Sequence, residues 1–284
     1  MKSLRESIDW TLKYFSFFHF PPTAFEIWKW QRGTKYSYQE VVEELEAGGG
    51  KGIFFTQLNQ NVEDLALERH RRYQDAIAKY RRVQWYVWYL ARLPWVQGVA
   101  FCNNLPFHNT KKGSDIDLFI LTKPGALWKT RLFAITPLRL LQLRPGEAKQ
   151  HPIDVSFFVS TDSMSLEHLQ IEDDDPYLAM WVVALSPVFE RSSGVFRTFW
   201  DQNMWATKQF PQAVTGGRAS FWRSTQRWKL PILFPESLSK QLQEKILPNS
   251  LTSPSNFASI VMNDSMLKFH QNDRRKEINA FLCR

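Results

Sequence analysis

Two aspartates stand inside the apolar segment GSDIDLFI (residues 113–120), whose composition and flanking turn residues are typical of a β-strand. Aspartate is a poor strand former, so its presence at both Asp115 and Asp117 calls for a reason. Side chains two positions apart on a strand point to the same face, which places the two carboxylates side by side. Neighbouring carboxylates repel and one pKa rises unless a cation neutralises them, and Mg²⁺ prefers such oxygen ligands.

A third aspartate, Asp154, lies early in the segment IDVSFFV, which is another candidate strand. If the two strands are neighbours, Asp115, Asp117 and Asp154 meet at one edge of a sheet. Three carboxylates suit a two-metal site, in which the ions hold the attacking and leaving oxygens of an in-line displacement. The alternative is that the D-x-D pair has arisen by chance and that Asp154 only caps a strand end.

The elements around these aspartates indicate an α/β unit. WVQGVAF, DIDLFIL and IDVSFFV have the length and composition of strands, and the segment LWKTRLFAITPLRLLQL between the last two predicts a helix broken by Pro137. Beyond Asp162 we expect helices over PYLAMWVVALSPVFE and MLKFHQNDRRKEI. The stretch 216–238 has no clear period, and a polar loop is expected around 248–255.

The first sixty residues predict three helices followed by the short strand IFFTQL, which is the order of a winged-helix unit. Such units often bind DNA. The third helix, SYQEVVEELE, has four glutamates and no Lys or Arg, so it would repel phosphates. The charge of this helix therefore favours a scaffold or protein-contact role for the N-terminal unit. Nucleic acid remains a possible partner of the protein, but this unit gives no support for it.

A single long helix is predicted from Val62 to Arg92. Its basic residues fall largely on one side, at Arg69, Arg72, Lys79 and Arg82. Two interpretations stay open for this side: a stripe that faces nucleic acid, or an ordinary solvated helix face.

Composition indicates a globular protein of the reducing cytoplasm. The 284 residues carry a net charge of +8, and the two cysteines, Cys102 and Cys283, cannot supply a disulfide framework or a zinc ribbon. The N-terminal segment mixes charges among its apolar residues, so we expect no export signal. The weakly charged stretch 83–107 is interrupted by Pro, Gly and Asn, so we expect no membrane span.

The segment GVAFCNNLPFHNTKKGSDIDLFIL (residues 98–121) resembles the polymerase-β-type nucleotidyltransferase superfamily, in which a Gly-Ser turn opens a helix ahead of an S-D-x-D strand. The whole chain is similar to bacterial nucleotidyltransferase-domain proteins with an N-terminal winged-helix-like region. This resemblance implies an α+β fold, with a small mixed β-sheet core flanked by that unit and by C-terminal helices. The implied domains are a winged-helix-like unit (1–61), a connecting helix (62–92), a nucleotidyltransferase core (93–165) and a helical C-terminal region (166–284).

The resemblance also assigns roles to particular residues. Asp115 and Asp117 would bind Mg²⁺, Asp154 would be the third metal-binding and catalytic acid, and Ser114 would lie beside the triphosphate of an NTP. The implied reaction transfers a nucleoside monophosphate from that NTP to an acceptor that the sequence does not specify.

One departure from the family pattern bears on activity. The Gly-Ser pair falls on Asn103 and Asn104, with Pro106 in the first turn of the expected helix. Asparagine tolerates the left-handed conformation and can donate hydrogen bonds, so both residues stay candidates for nucleotide binding. The departure also favours an alternative, a non-catalytic binding or regulatory protein that keeps the fold, with DNA among its possible partners.

Several other polar residues are weaker candidates. Lys111, Lys112 and Arg131 are possible phosphate contacts or simply solvated side chains, and His108 and His151 lack metal-ligand spacing. Cys102 has no acid–base partner nearby in the sequence, which argues against a thiol nucleophile. A polar cluster near the C-terminal end has no assigned role and comprises His270, Asp273, Arg274 and Arg275.

Overall fold

The computed structural model describes residues 3–33, 35–49, 52–56, 61–215, 222–223, 234–247, 260–269 and 273–283. The chain begins with three short helices, and the N-cap residue of each forms a capping box with the glutamate three positions later. These helices are α1 (Leu4–Ser16), α2 (Ala24–Lys29) and α3 (Tyr38–Ala47). They share a small apolar core formed by Ile8, Leu12, Ile27, Val41 and Leu45.

The three predicted helices are therefore confirmed, whereas the winged-helix assignment stays a prediction. Of the strand expected over 53–58, the described residues show one antiparallel bridge between Thr23 and Phe54, and Gln57 and Leu58 lie outside them. The unit is not isolated from the rest of the chain. Its aromatic side chains, among them Phe15 and Trp30, are buried in the main hydrophobic core.

The long helix α4 (Val62–Arg92) is confirmed, but its basic side does not form one exposed surface. Arg69 forms an ion pair with the glutamate of α2 at 2.7 Å, Arg72 donates to Asn109 Oδ1 at 2.8 Å, and Lys79 is fully buried. Arg82 is exposed. Arg69, Arg72 and Lys79 therefore form neither a stripe that faces nucleic acid nor a solvated helix face. The N-terminal unit and the loop after the first strand pack against this side of α4.

A seven-stranded mixed sheet forms the centre of the fold, in the order β5-β4-β1-β2-β3-β7-β6. Neighbours β2 and β3 are parallel, as are β4 and β5, and the other pairs are antiparallel. The strands are β1 (Val96–Phe101), β2 (Ile116–Thr122), β3 (Ile153–Ser160), β4 (Ser186–Glu190), β5 (Trp222–Arg223), β6 (Ile260–Met262) and β7 (Met266–Phe269). The predicted α+β class and mixed sheet are confirmed.

The helix α5 (Leu127–Leu140) connects β2 to β3 and runs through Pro137, so the predicted break is wrong. Proline lacks the N–H that would donate to the carbonyl four residues earlier. That carbonyl belongs to Phe133, and the hydroxyl of Tyr89 donates to it at 2.8 Å. The helix continues because α4 supplies the hydrogen bond that the proline cannot make.

The remaining helices are α6 (Pro176–Ala184), α7 (Val195–Gln202), α8 (Met204–Thr207), α9 (Pro211–Thr215), α10 (Glu236–Ile246) and α11 (Arg275–Cys283), with 3-10 turns at Leu105–Phe107 and Glu167–Leu169. They cover the sheet on both faces. The face of Ile120 and Phe158 is buried with α4 and α5, whereas the face of Phe119 and Phe157 is buried with α6, α7 and the N-terminal aromatics.

Two helix predictions beyond residue 165 are wrong in part. Ser186–Glu190 and Met266–Phe269 are strands, because successive side chains must enter opposite cores: Met266 lies in one and Leu267 in the other. Four of the seven strands thus come from the region expected to be helical, while the domain limits themselves stay predictions. The loop predicted around 248–255 lies outside the described residues, as does most of 216–238. Among the described helices, none combines the length and apolar character that a membrane crossing requires.

Candidate active site

Asp117 and Asp154 are direct partners on the parallel strands β2 and β3. The condition set in the sequence analysis, that these two strands are neighbours, is therefore met. Asp115 lies immediately before β2, two positions from Asp117, and all three side chains are partly exposed. Ile116 and Leu118 enter the core on the opposite face, as the alternation of the strand predicts.

The pKa values of the aspartates at this edge of the sheet are shifted by burial and by their mutual negative charge. Burial and the neighbouring charge of Asp154 raise the pKa of Asp117 from 3.8 to about 7, although a hydrogen bond from the Asn103 side chain acts in the opposite direction. Burial and Asp154 also raise the pKa of Asp115, while the ammonium of Lys79 lowers it. Burial and the neighbouring carboxylate thus raise the pKa of both Asp115 and Asp117, which disfavours their ionised forms.

This chemistry fits a divalent cation, because hard carboxylate oxygens are the ligands that Mg²⁺ takes. In the part of the chain that the structure describes, no group of three or more His, Cys, Asp or Glu side chains is arranged to hold a metal ion. The three-carboxylate metal site thus stays a prediction. It is supported by the pairing of Asp117 with Asp154 and by the raised pKa of Asp117.

The turn after β1 depends on Asn103, which has a left-handed backbone with φ of +58°. This is the conformation that the sequence analysis expects asparagine to tolerate in place of glycine. The Trp181 indole N–H donates to Asn103 Oδ1 at 2.8 Å, and the Asn103 side chain is hydrogen-bonded to Asp117. Asn104 is exposed and precedes only a single 3-10 turn, not the expected helix. Asn103 therefore links α6 to the carboxylates.

Lys79 is a residue of this site that the sequence analysis did not assign. Its ammonium is fully buried and donates three hydrogen bonds, to Asp75 Oδ2 at 2.8 Å, to the carbonyl of Lys111 at 2.6 Å and to Ser114 Oγ at 2.8 Å. The hydroxyl of Ser114, which was expected beside a triphosphate, is thus already an acceptor for Lys79. The spacing of an aspartate and a lysine four residues apart on α4 was the available signal.

Asp75 on α4 also forms a hydrogen bond with the loop that precedes Asp115. The hydroxyl of Thr110 donates to Asp75 Oδ2 at 2.7 Å, and His151 Nδ1 lies 3.9 Å from Asp75 Oδ1. Although burial raises the pKa of Asp75, the hydrogen bonds from Lys79 and Thr110 bring it below its usual value. The segment 110–114 is therefore fixed on α4 directly before Asp115, which sets the position of that carboxylate.

Two cavities meet at Asn103. The first, the cation-lined cavity, has a volume of about 510 Å³ including its mouth. It is lined by Cys102, Asn103, Ser156, Phe157, Tyr177, Leu178, Trp181, Lys268, Asp273 and Arg275. Burial and the nearby Arg275 lower the pKa of Lys268 to about 8. Arg275 itself is buried and donates to Asp273 at 2.6 Å and to Asp175 at 3.0 Å.

The second, the aromatic cavity, has a volume of about 470 Å³ including its mouth. Its walls come from α1 and the residues after it, from the turn after β1 and from α6. The lining residues are Tyr14, Phe15, Phe18, Phe20, Asn103, Asn104, Phe107, Asn109, Tyr177, Met180, Trp181 and Ala184. The N-terminal unit thus contributes directly to a space beside the carboxylates.

The weaker candidates are distributed differently. Lys111 and Lys112 are exposed, whereas Arg131 is buried, where it donates to Gln243 Oε1 at 2.6 Å and lies over the ring of Phe269. These contacts direct Arg131 toward α10 and β7.

His108 and Cys102 have structural surroundings. His108 packs against Tyr73 and Tyr80, and Cys102 is buried. Burial and the charges of Asp117 and Asp154 raise the pKa of the Cys102 thiol, which disfavours a nucleophilic thiolate. Of the C-terminal polar cluster, Asp273 and Arg275 line the cation-lined cavity, and His270 lies outside the described residues.

Comparison with known proteins adds no relative to this chain. No protein-family model, no curated protein and no solved structure matches it. The resemblance noted in the sequence is therefore without independent support, and function has to be argued from the carboxylates, Lys79 and the two cavities.

Proposed function

We propose that this protein is a Mg²⁺-dependent nucleotidyltransferase of the cytoplasm that transfers a nucleoside monophosphate from an NTP to an acceptor hydroxyl. The observation that carries the proposal is the pairing of Asp117 with Asp154 on parallel strands, with the pKa of Asp117 raised to about 7. A fold keeps such a destabilised pair where a function needs it, and a bound divalent cation would remove the repulsion.

Asp115 and Asp117 would hold Mg²⁺, and Asp154 would act as a further ligand or as the general base. The bound ion supplies a Lewis acid at the phosphates. Transfer forms a bond between the acceptor oxygen and the α-phosphorus, and it breaks the bond from that phosphorus to the bridging oxygen of the leaving pyrophosphate. With Asp154 as base, the hydroxyl proton passes to its carboxylate.

Lys79 and Asn103 would act as positioning residues in this reaction. Lys79 fixes Ser114 and thereby the carboxylate of Asp115, while Asn103 orients Asp117 by a hydrogen bond. Asn104 is exposed at the turn and would meet the nucleotide with its side-chain amide. Positioning and charge neutralisation, rather than a covalent intermediate, would account for the rate.

The cation-lined cavity suits the phosphates of the NTP. Lys268 is its buried ammonium, and the hydroxyl of Ser156 and the amide of Asn103 lie along the same wall. Arg275 adds positive charge and forms ion pairs with Asp175 and Asp273. Lys268 and Arg275 would together attract the phosphates.

A second candidate function is a nucleotide-binding or regulatory protein without catalysis. It is favoured by the replacement of the family's Gly-Ser turn by Asn103 and Asn104, where the Asn103 side chain is already held by Trp181. Both functions require NTP binding, but only the first produces a transferred nucleotide.

The test measures binding of Mg²⁺ and of each NTP by calorimetry, for the wild type and for Asp117→Asn. The matched control is Asp201→Asn, because Asp201 is exposed on α7. We expect Mg²⁺-dependent NTP binding in the wild type and control, and a loss of at least about tenfold in affinity in Asp117→Asn. Equal binding by all three proteins would refute the proposal.

Catalysis is tested by incubating the full chain with Mg²⁺, labelled NTPs and cell extract. A labelled product that requires Asp117 supports transfer. Restoring the family pattern in the double variant Asn103→Gly and Asn104→Ser separates the two functions. Activity that arises only in this variant identifies the natural chain as the non-catalytic form.

A further inference from the structure

The side of α4 that faces away from the sheet carries a row of residues spaced three and four positions apart, which keeps them on one side of the helix. We call this set the α4 line, and it comprises Arg71, Gln74, Ala78, Arg81, Trp85, Trp88 and Arg92. Arg92 is partly exposed and the other six residues are exposed. With a rise of about 1.5 Å per residue, the α4 line is about 32 Å long.

Two exposed tryptophans distinguish the α4 line from an ordinary solvated helix face. Trp85 is 38% exposed and Trp88 is 47% exposed, although tryptophan is highly buried on average in folded proteins. The core side of the same turns is filled by Val83 and Tyr86, so the exposed indole surface adds nothing to the core. The guanidinium of Arg92 lies 3.3 Å from the centre of the Trp88 ring, which places a cation directly on this aromatic surface.

The α4 line is basic. It contains three arginines and no acidic residue. Among the residues that the structure describes, Arg71 and Arg81 have no carboxylate partner. The line is also distinct from the basic side considered in the sequence analysis, because Arg72 and Lys79 of that side donate to the loop after β1.

Positive charge continues beyond the α4 line toward the loop that precedes β2. Arg82 is exposed next to Arg81, and Lys112 is exposed on that loop. Burial lowers the pKa of His151, and the charges of Arg82 and Lys112 lower it further against the effect of Asp75. Both cations therefore lie near the same ring, and a polyanion on α4 would meet positive charge beside the line as well.

The arrangement of these groups favours one class of polyanion. A helix that lies on an anionic membrane buries an apolar face and keeps its cations on the polar face, whereas the α4 line has arginines in the same row as its tryptophans. An acidic peptide would neutralise the arginines but offers no flat partner for the indole rings. A single-stranded nucleic acid brings a phosphate and an accessible base with every nucleotide, and bases stack on aromatic side chains. In a duplex the bases stack on one another instead.

We propose that the α4 line binds single-stranded nucleic acid, with bases stacked on Trp85 and on the Trp88–Arg92 pair and with phosphates bound by Arg81 and Arg71. The binding tolerates different sequences, because every base has a flat face to stack. It needs neither Mg²⁺ nor an NTP and is therefore independent of the proposed function. It also differs from DNA binding by the N-terminal unit, which contributes no residue to the α4 line.

The test measures fluorescence anisotropy of labelled oligouridylate and oligothymidylate of about 12 nucleotides, with the full chain, chelator and no NTP. We expect the single strands to bind at least about tenfold more tightly than a DNA duplex of the same length. Binding of either strand supports the inference, and the ratio of the two affinities identifies RNA or DNA as the partner. With two to three phosphates neutralised, the slope of log affinity against log salt should be about −1.4 to −2.1.

The comparison ligands are a polyglutamate peptide and vesicles of phosphatidylserine and phosphatidylcholine. Absence of oligonucleotide binding would overturn the inference. Binding of the duplex, the peptide or the vesicles that equals or exceeds binding of the single strands would also overturn it.

Variants locate the binding surface on α4. Trp85→Ala combined with Trp88→Ala should weaken oligonucleotide binding at least about tenfold, and Arg81→Gln should reduce the size of the salt slope by about 0.7. The matched controls are Phe25→Ala, which removes an aromatic side chain that is 53% exposed on α2, and Arg197→Gln on α7, which packs on the opposite face of the sheet. Both controls should bind as the wild type does.

Circular dichroism checks that each variant is folded, and the exposure of the substituted side chains makes loss of the fold unexpected. Unchanged affinity in the folded double tryptophan variant would overturn the inference. A change in Arg197→Gln equal to that in Arg81→Gln would also overturn it, because binding would then follow the net charge and not the α4 line. NTP binding is measured separately, so neither result bears on the proposed function.

Discussion

Replacing Asp117 by asparagine should stabilise the metal-free protein at alkaline pH. The pKa of this carboxyl is 3.8 in an unfolded chain and about 7 in the fold, a rise of about 3 units. Each unit corresponds to about 1.4 kcal/mol, so ionised Asp117 costs up to about 4 kcal/mol above neutral pH. Since Asp154 and Lys79 can readjust after the substitution, we expect a gain of ~2–4 kcal/mol in the free energy of unfolding.

The sign of the pH dependence follows from the direction of the shift. Between the unfolded and folded pKa values, the folded state binds more protons than the unfolded state. The contribution of Asp117 to stability is therefore present at acid pH and is lost as the pH rises toward 7. The difference between Asp117→Asn and wild type should be near zero at about pH 4 and reach its full value at about pH 8.

The assay is urea unfolding followed by tryptophan fluorescence, with chelator present, at about pH 4 and about pH 8. The control Asp201→Asn removes an exposed carboxylate and should change stability by less than about 0.5 kcal/mol at either pH. Adding Mg²⁺ at alkaline pH should stabilise the wild type but not Asp117→Asn. An Asp117→Asn protein that is less stable than wild type at about pH 8 would refute the reasoning.

Three further predictions follow from buried polar groups. Lys79→Met should lower the free energy of unfolding in urea by about 3 kcal/mol, because it removes a buried ammonium that donates to three acceptors. The control Arg81→Met, on the exposed side of α4, should have little effect. NTP affinity should fall about tenfold per pH unit above about 8, where Lys268 loses its proton, and Lys268→Met should flatten the calorimetric profile. Tyr89→Phe should cost about 1 kcal/mol, because the carbonyl of Phe133 opposite Pro137 loses its donor; thermal unfolding without any such loss would contradict this.

Local pattern in the sequence predicts part of the arrangement at the carboxylate edge of the sheet. The i, i+2 spacing of Asp115 and Asp117 predicts a shared face. The sequence analysis made the meeting of all three aspartates conditional on β2 and β3 being neighbours. The pairing of Asp117 with Asp154 confirms that their strands are neighbours. The left-handed backbone at Asn103 agrees with the residue type, since asparagine tolerates that conformation better than most residues.

Other elements were wrong in the sequence analysis because distant contacts decide them. Met266–Phe269 is a strand since the edge of β3 offers backbone partners that no local pattern reveals. The helix through Pro137 depends on a hydroxyl donated from α4. In each case the deciding hydrogen bond comes from a residue far along the chain.

The amino-acid sequence by itself determined which residues share a face, because side-chain alternation along a strand is a local property of the backbone. Only the tertiary structure decided that Lys79 points inward to the loop before Asp115, and that α1 supplies one wall of the aromatic cavity. Helical periodicity specifies one side of a helix but not what packs against that side. Which element packs there depends on two free-energy contributions, the gain from burying the apolar surface of whole elements and the cost of desolvating their charges. Both depend on contacts that form only in the folded chain.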